Sequence, residues 1–367
     1  MPELASTASV VFLQPVTLCN LDCSYCYLPE RALRRRMSVD VADAVARAVS
    51  VWSDVHPVNV VWHGGEPLAL GLPGFVELLG RFRAGAQRVS HTVQTNGTLI
   101  DDAWCEVFVR HRVAVTVSLD GPGRFNRDRV TRAGRGSLDR TLRGIAALRR
   151  HHLPFAAIAV VQDPDPEQAE ELYDWFAALG CRSLGINIVE RKGTHVRVSA
   201  DDERVTAFWT ALALRWRRDR RLPIREFDHA LRYVAAELGG RARERALAPH
   251  DPLPMIGWDG DVTLFGPDLS GFSSSRLGTF DVGNVADADL TELVARAAQS
   301  GWVREVLDGT EACRSTCDHY AYCLGGQPAN KYFETGRFDV TETTHCRNSK
   351  KRLMKGLMRG VPEPRAT

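Results

Sequence analysis

Three cysteines lie close together near the start of the chain, at Cys19, Cys23 and Cys26 in the segment CNLDCSYC. With nine cysteines in 367 residues, this C-x3-C-x2-C spacing would arise by chance roughly 0.005 times per chain. In a reducing compartment, cysteines at such spacing indicate metal or redox chemistry rather than disulfides.

The number three has a specific meaning for metal binding. A structural zinc site closes itself with four protein ligands, whereas three thiolates on a [4Fe-4S] cluster leave one iron open to an external ligand. We therefore interpret the three cysteines as ligands of such a cluster. At this point two alternatives stay open: a zinc site completed by His63, and three buried thiols without metal.

The composition limits the partners of the chain. Hydrophobic residues make up 44% and charged residues 25%, and no apolar run reaches the length of a membrane span. No export signal precedes the first strand-like segment, so we expect a cytoplasmic protein. The net charge of +2 argues against a general attraction to nucleic acid or to anionic lipid. We expect neither nucleic acid nor membrane as a partner.

Short β-branched runs alternate with amphipathic stretches, which is the pattern of a parallel sheet covered by helices. The predicted strands are Ser9 to Leu13, Val58 to Trp62, Ser90 to Gln94, Val113 to Leu119, Phe155 to Val161 and Ser183 to Ile188. The predicted helices are Val41 to Trp52, Pro73 to Ala84, Asp102 to His111, Leu138 to His151 and Pro166 to Leu179. Six such units predict an α/β fold, a partial (β/α)6 TIM-like barrel. The three cysteines directly follow the first strand, at the end where barrel enzymes carry their chemistry.

The chain is expected to divide into three regions. Residues 1–200 form the barrel, 201–253 form a helical bridging region, and 254–367 form a small cysteine-rich domain. Within the third region, Asp259-Gly260 predicts a β-hairpin turn. The isolated cysteines Cys105 and Cys181 are interpreted as core thiols.

The first cysteine group, together with Gly64-Gly65-Glu66-Pro67 after the second strand, resembles the radical S-adenosylmethionine (SAM) enzymes. The resemblance extends over nearly the whole chain. In that family three cysteines hold a [4Fe-4S] cluster whose open iron is chelated by the amino and carboxylate groups of SAM. The resemblance implies that Cys19, Cys23 and Cys26 are these ligands and that Tyr25 packs near the adenine.

The resemblance also implies a SAM pocket. Gly64 and Gly65 would let backbone groups approach the SAM ammonium, and Glu66 would add negative charge there; a tight turn is the alternative reading of this motif. Arg129, or else Arg132, would pair with the methionine carboxylate. The other implied lining residues are Pro67, Thr95, Asn96, Ser118 near the ribose, Asp120 and Asn187.

Four further cysteines, Cys313, Cys317, Cys323 and Cys346, resemble the auxiliary-cluster segment of the SPASM branch, whose members mostly modify peptides or proteins. The full version of that segment has seven cysteines and two auxiliary clusters. Here the hairpin region lacks a cysteine, and Gln327 stands where another cysteine would follow Cys323. The resemblance therefore implies one auxiliary [4Fe-4S] cluster, with zinc as the alternative.

The segments LQPVTLCNLDCSYCYLP, TLFGPDLSG and GGQPANKYFETGRFDVTETTHCRNSKK most resemble the cyclophane-forming peptide maturases. The resemblance implies reductive cleavage of SAM to a 5′-deoxyadenosyl radical, with an electron from an external flavodoxin-type or ferredoxin-type donor. A ribosomal precursor peptide would be the substrate, and a β-carbon would be joined to an aromatic ring two residues away. Asp268 would be the base, although a turn-forming aspartate is the alternative.

Other functions stay open from the sequence. They are thioether formation, epimerisation, sulfatase maturation, and a noncatalytic iron-sulfur or zinc sensor. No winged-helix segment precedes the barrel, so leader binding is expected to use the barrel or a separate protein.

Overall fold

A parallel sheet of six strands occupies the first half of the chain. The computed structural model describes residues 3–82, 88–195 and 203–359. The six strands are β1 (Val10–Leu13), β2 (Val58–Trp62), β3 (Val89–Thr95), β4 (Val113–Ser118), β5 (Phe155–Val161) and β6 (Ser183–Ile188). Each pairs in parallel with the next along the chain. This order confirms the partial TIM-like barrel that the alternating pattern predicted.

Helices follow the strands and cover the outer face of the sheet. They are α1 (Val39–Val55), α2 (Leu72–Leu79), α3 (Asp102–His111), α4 (Leu138–Arg150) and α5 (Pro166–Leu179). The predicted bounds of α3 and α5 agree with the structure, and those of α1, α2 and α4 differ by a few residues at one or both ends, as is usual because helix ends fray. The predicted end of the second helix, Ala84, lies outside the described residues.

The core lies between the sheet and these helices. In β5 buried and half-buried residues alternate along the strand, because successive side chains point to opposite faces. Phe75 of α2 and Phe108 of α3 are fully buried. Burial of each such side chain contributes about 1.5–3 kcal/mol of transfer free energy.

The predicted hairpin is present and joins the barrel sheet. Strands β7 (Met255–Ile256) and β8 (Val262–Thr263) are antiparallel, with Ile256 opposite Val262. Strand β7 also pairs in parallel with β1, so the full sheet order is β6-β5-β4-β3-β2-β1-β7-β8. Gly260 takes the left-handed conformation that the turn requires, with φ of 95°. A separate small hairpin is formed by β9 (Ser273–Ser274) and β10 (Gly278–Thr279).

Further α-helices follow β6 in the described chain. They are α6 (Glu203–Asp219), α7 (Arg225–Leu238), α8 (Ala242–Leu247), α9 (Leu290–Arg296), α10 (Gly301–Thr316), α11 (Tyr320–Cys323), α12 (Pro328–Thr335), α13 (Thr344–Cys346) and α14 (Arg352–Met358). No helix in the described ranges is both long and apolar enough to cross a bilayer. The division into residues 1–200, 201–253 and 254–367 stays a prediction.

Helix α14 packs closely on α6. The Trp209 indole donates a hydrogen bond to the carbonyl of Asn348 at 3.0 Å. A Cβ atom on Gly356 would lie 2.7 Å from the Cβ of Trp209 and 2.9 Å from the backbone nitrogen of Thr210. The contact therefore requires glycine at position 356.

We expect Gly356→Val to lower the free energy of unfolding by about 1–3 kcal/mol, because the added side chain overpacks this contact. Chemical denaturation of the apoprotein measures the change. Gly301→Ala is the matched control, since a Cβ there meets nothing within 4 Å. Equal stability of the Gly356→Val variant and the parent protein would contradict the close packing of α14 on α6.

Candidate active site

The cysteine loop, residues 14–38, leaves the carboxyl end of β1 and leads into α1. Its backbone is held from several sides. The amide of Cys19 donates to the carbonyl of Arg31 at 2.9 Å, and the exposed guanidinium of Arg132 donates to the carbonyl of Cys19 at 3.0 and 3.1 Å. The hydroxyl of Thr194, from the loop after β6, donates to the carbonyl of Cys26 at 2.9 Å. The loop is thus fixed before any metal binds.

The three thiols of the loop line one cavity at the carboxyl end of the sheet, with a volume of about 1060 Å³ including its open mouth. They form no disulfides. Burial, which disfavours the charged thiolate, raises the pKa of Cys19 to about 12 and that of Cys23 to about 11. The bare thiols are therefore neutral at pH 7, and iron must displace their protons to bind.

Gly65 lies directly against the cysteine loop. Its φ is +60°, and a Cβ atom there would lie 2.5 Å from the carbonyl oxygen of Thr17 and 2.6 Å from that of Val16. The amide of Glu66 donates to the carbonyl of Leu18 at 2.9 Å. Gly65 therefore allows a close backbone approach, and here the approaching backbone is that of the cysteine loop.

Glu66 lies beneath the cavity and is almost fully buried. Its Oε1 accepts hydrogen bonds from the Thr95 hydroxyl at 2.6 Å and from the Leu68 amide at 3.1 Å, and its Oε2 accepts from the Asn96 amide at 2.7 Å. Burial raises the pKa of Glu66, and the three donors oppose that shift. Both carboxylate oxygens of Glu66 thus accept hydrogen bonds from the protein, and the residue also lines the cavity. Pro67 begins a 3-10 helix and is not among the lining residues.

A buried chain of polar groups links Arg129, Tyr25 and Asp120. Arg129 donates to the hydroxyl of Tyr25, which donates to Asp120 Oδ2 at 2.6 Å. Asp120 does not itself line the cavity but lies 3.6 Å from the Arg129 guanidinium. Burial would lower the pKa of Arg129, but Tyr25 and Asp120 raise it on balance. Arg129 is therefore a buried cation at the cavity.

The structure separates the two arginines proposed for the SAM carboxylate. Arg132 is exposed and donates to backbone carbonyls of the cysteine loop. Arg129 lines the cavity, and its Nε is a buried donor that has no hydrogen-bond partner among the described residues. A buried unpaired guanidinium nitrogen favours binding of an anion. The other sequence-predicted residues that line the cavity are Tyr25, Gly64, Gly65, Glu66, Thr95, Asn96, Ser118 and Asn187.

A second cavity opens beside the first, with a volume of about 1250 Å³ including its mouth. Residues that line both cavities include Tyr27, His63, Asn187, Glu190 and Lys192. Burial lowers the pKa of His63 to about 4, so its imidazole is neutral at pH 7. The two cavities are therefore adjacent, and these mixed polar and apolar residues form the wall that they share.

Asp268 lines the second cavity and is only 6% exposed. Its Oδ2 lies 2.9 Å from Lys192 Nζ and accepts a hydrogen bond from Gln327 Nε2 at 3.1 Å. The hydroxyl of Tyr27 also bonds to its carboxylate. Asp268 lies in a short 3-10 helix, Pro267–Leu269. Its backbone is therefore part of a turn, as the alternative interpretation of the sequence expected, and its side chain lines the second cavity.

A group of charged residues supports Asp268, and the sequence analysis did not identify it. Lys192 Nζ also contacts Glu190 Oε1 at 3.1 Å. Glu190 accepts a hydrogen bond from Asn330 Nδ2 at 2.7 Å, and its Oε2 contacts Nδ1 of the His345 imidazole. Burial alone would raise the pKa of Glu190, but His345 and Lys192 lower it on balance. The available signal was the charged segment directly after β6, at the end of the sheet that carries the chemistry.

The C-terminal cysteine site consists of Cys313 at the end of α10, Cys317 after it, Cys323 at the end of α11 and Cys346 at the end of α13. Cys313 interacts electrostatically with Cys317 and Cys323, and Cys346 does so with the same two. The fold thus brings four cysteines together that are up to 33 positions apart in the sequence.

Over residues 3–82, 88–195 and 203–359, no group of three or more His, Cys, Asp or Glu side chains is arranged to hold a metal ion. That finding concerns a single ion, such as the zinc considered with His63 and at the C-terminal cysteine site. The thiolates of a [4Fe-4S] cluster each bind a different iron.

Comparison with known proteins identifies the family. Residues 13–176 match the family model described as the Radical SAM superfamily. The chain is a radical SAM enzyme. The matched residues include the cysteine loop and continue into α5. Radical SAM enzymes use a [4Fe-4S] cluster and SAM, and the three thiols and the unpaired Arg129 Nε at one cavity fit these two groups.

Two relatives match this radical SAM enzyme over most of its length. The protein sll1766 of Synechocystis is 29% identical over 358 residues, covering 92% of this chain and 88% of its own. The serine-type anaerobic sulfatase-maturating enzyme of Klebsiella aerogenes is 28% identical over 336 residues, which cover 87% of this chain and 80% of that enzyme.

Two solved structures share the fold of the radical SAM enzyme. The structure of anSMEcpe with AdoMet and the Cp18Cys peptide has a TM-score of 0.72 and 20% identity, and the match covers 95% of this chain and 96% of that one. The structure of Streptococcus suis SuiB with its precursor peptide SuiA has a TM-score of 0.67 and 17% identity, and the match covers 93% of this chain and 76% of that one.

We expect Gly65→Ala to reduce the iron and sulfide content of the reconstituted radical SAM enzyme, because the new methyl group would push the cysteine loop away from β2. Iron and sulfide analysis per folded chain measures the loss. Gly136→Ala is the control, since a Cβ there meets nothing within 4 Å. Full iron content in the Gly65→Ala variant would show that the cysteine loop does not depend on this contact.

Proposed function

We propose that this enzyme crosslinks a ribosomal precursor peptide oxidatively and forms a three-residue cyclophane between a β-carbon and an aromatic ring. The observation that carries the proposal is the adjacency of the two cavities: the one with three thiols shares a wall with the one that contains Asp268. A radical formed in the first cavity would meet its substrate in the second, next to a carboxylate. The chain's membership of a peptide-modifying radical SAM family supports a peptide as that substrate.

In this proposal Cys19, Cys23 and Cys26 hold the [4Fe-4S] cluster, and Arg129 pairs with the carboxylate of SAM. When bound, the cluster and SAM supply a 5′-deoxyadenosyl radical that removes a hydrogen atom from carbon. The buried contacts among Arg129, Tyr25 and Asp120 hold the guanidinium in one position. A fixed guanidinium binds a carboxylate with less loss of side-chain entropy than a mobile one.

Asp268 is the proposed base. After the β-carbon has lost a hydrogen atom and has added to the aromatic ring, the ring must lose one proton and one electron. Asp268 would accept the proton on its carboxylate. Lys192, Gln327 and Tyr27 hold that carboxylate toward the second cavity, which provides the fixed geometry that general base catalysis requires.

The electron needs an acceptor, and the C-terminal cysteine site is our candidate. Cys313, Cys317, Cys323 and Cys346 would hold one auxiliary [4Fe-4S] cluster. Helix α12 lies between this site and the second cavity: Asn330 donates to Glu190 of the cavity, and the adjacent Lys331 donates to Cys313 Sγ at 3.6 Å. The substrate thereby loses two hydrogens in total, one as an atom and one as a separate proton and electron.

A second candidate is maturation of a sulfatase serine or cysteine. The 28% identity to the Klebsiella aerogenes enzyme over 87% of this chain favours it. That reaction also begins at a β-carbon and also removes a proton and an electron after the hydrogen atom, so the two cavities serve it equally well. The products differ: an aldehyde in one case and a carbon-carbon crosslink in the other.

The decisive experiment is anaerobic coexpression with the small open reading frame next to this gene. We expect a loss of two hydrogens in the peptide, no backbone fragments within the three-residue ring in tandem mass spectrometry, and no reaction with a hydrazide. A hydrazide adduct would instead indicate an aldehyde, and an unchanged mass with deuterium taken up from solvent would indicate epimerisation. Cys23→Ala should abolish the change, whereas Cys181→Ala, in the core away from both cavities, should retain it.

We expect Asp268→Asn to lower the rate of product formation by about 10²-fold or more, because an amide cannot accept the proton. Reductive cleavage of SAM to 5′-deoxyadenosine should continue, since Asp268 does not line the first cavity. Liquid chromatography of both products under dithionite separates the two effects. Asp259→Asn, in the turn of the β7–β8 hairpin, is the control. Normal crosslinking by the Asp268→Asn variant would remove Asp268 from the mechanism.

A further inference from the structure

Lys331 is a buried cation next to the C-terminal cysteine site. It lies in α12 and is only 4% exposed. Its Nζ donates hydrogen bonds to the carbonyl of Gly309 at 3.1 Å and to Cys313 Sγ at 3.6 Å. In the part of the chain that the structure describes, no carboxylate forms an ion pair with Lys331. Its neighbours in the bare protein are therefore a carbonyl dipole and thiols.

A buried ammonium group requires a nearby negative charge, because transfer of an unpaired charge out of water is costly. The groups that can supply this charge are the cysteines. Burial lowers the pKa of Lys331, and Cys313, Cys323 and Cys346, three of the four residues of the site, oppose that shift. Neutral thiols would leave the ammonium uncompensated. Metal-bound thiolates would compensate it.

We propose that Lys331 is the counter-charge of the C-terminal cysteine site and raises the reduction potential of the auxiliary cluster held there. The inference rests on the proposed function, which places that cluster at the four cysteines. Reduction adds one negative charge to a site that is already anionic. A fixed cation stabilises the reduced form more than the oxidised form, and a hydrogen bond to a cluster sulfur acts in the same direction.

The raised potential suits the electron flow of the proposed reaction. The ring intermediate loses one electron as it forms its product, and a cluster held by the C-terminal cysteine site would accept that electron. An oxidised flavodoxin-type or ferredoxin-type protein would in turn take the electron from the site. Without a cation at Lys331 the cluster would be a weaker acceptor, and the oxidation of the substrate would be less favourable.

The test uses the full chain with Cys19, Cys23 and Cys26 changed to Ala, so that only the C-terminal cysteine site can be loaded. After anaerobic reconstitution, about four irons per chain are expected. A redox titration followed by electron paramagnetic resonance then gives the midpoint potential. In this background, Lys331→Met should lower the potential, and Lys331→Arg should leave it close to that of the Lys331 protein. Lys355→Met, which removes an exposed lysine paired with Glu203, should have no effect.

Each outcome has a separate meaning. An equal potential for the Lys331→Met variant and the Lys331 protein, or equal lowering by both substitutions, overturns the counter-charge role. If Lys331→Met prevents loading while Lys331→Arg loads and keeps the potential of the parent protein, and the melting temperatures of the two apoproteins agree, the site requires the positive charge and the counter-charge role stands. A lowered potential in the loaded Lys331→Arg variant would overturn it. If neither variant loads, the shape of the side chain and not its charge is decisive, and the proposal fails. If the variant that lacks the three loop cysteines and keeps Lys331 binds zinc or no metal, the auxiliary cluster is removed from the proposed function.

Discussion

The buried carboxylate of Glu66 connects the parts of the site that come from separate strands. Its oxygens accept from Thr95, from Asn96 and from Leu68, and its own amide donates to Leu18 in the cysteine loop. The ends of β2 and β3 and the loop after β1 are thus joined by one residue. A carboxylate without these donors would be costly at this depth. The position of the three thiols relative to the rest of the first cavity depends on this set of bonds.

Much of the barrel could be predicted because its information is local. Strands and helices have characteristic periods, and the cysteine spacing is visible within eight residues. The charged residues that hold Asp268 in place, Lys192 and Glu190, could not be predicted in this way. Glu190 contacts Asn330 and His345, which lie more than 130 positions later in the sequence. No local sequence pattern predicts such a contact. For the same reason the burial of Lys331 among the C-terminal cysteines appears only after the helices have packed.

The addition of β7 beside β1 places two distant parts of the chain next to each other. Because Ile256 pairs with Leu13 and β8 runs antiparallel to β7, the turn between β7 and β8 lies at the same edge of the sheet as the cysteine loop. The segment that follows β8 starts from the opposite edge. Asp268 lies in that segment, and it contacts Lys192 from the loop after β6. The second cavity is therefore lined by residues of the barrel, of α7 and of the chain after β8. The chain after β8 alone would leave Asp268 without Lys192 and Tyr27.

The raised pKa values of the Cys19 and Cys23 thiols affect how easily these thiols are oxidised before iron binds. The thiolate, and not the neutral thiol, attacks oxidants and other sulfur atoms. Burial keeps Cys19 and Cys23 protonated at neutral pH, so a newly made chain is slow to form a wrong disulfide. The same burial that disfavours charge in the empty site thus preserves its ligands for the machinery that delivers iron.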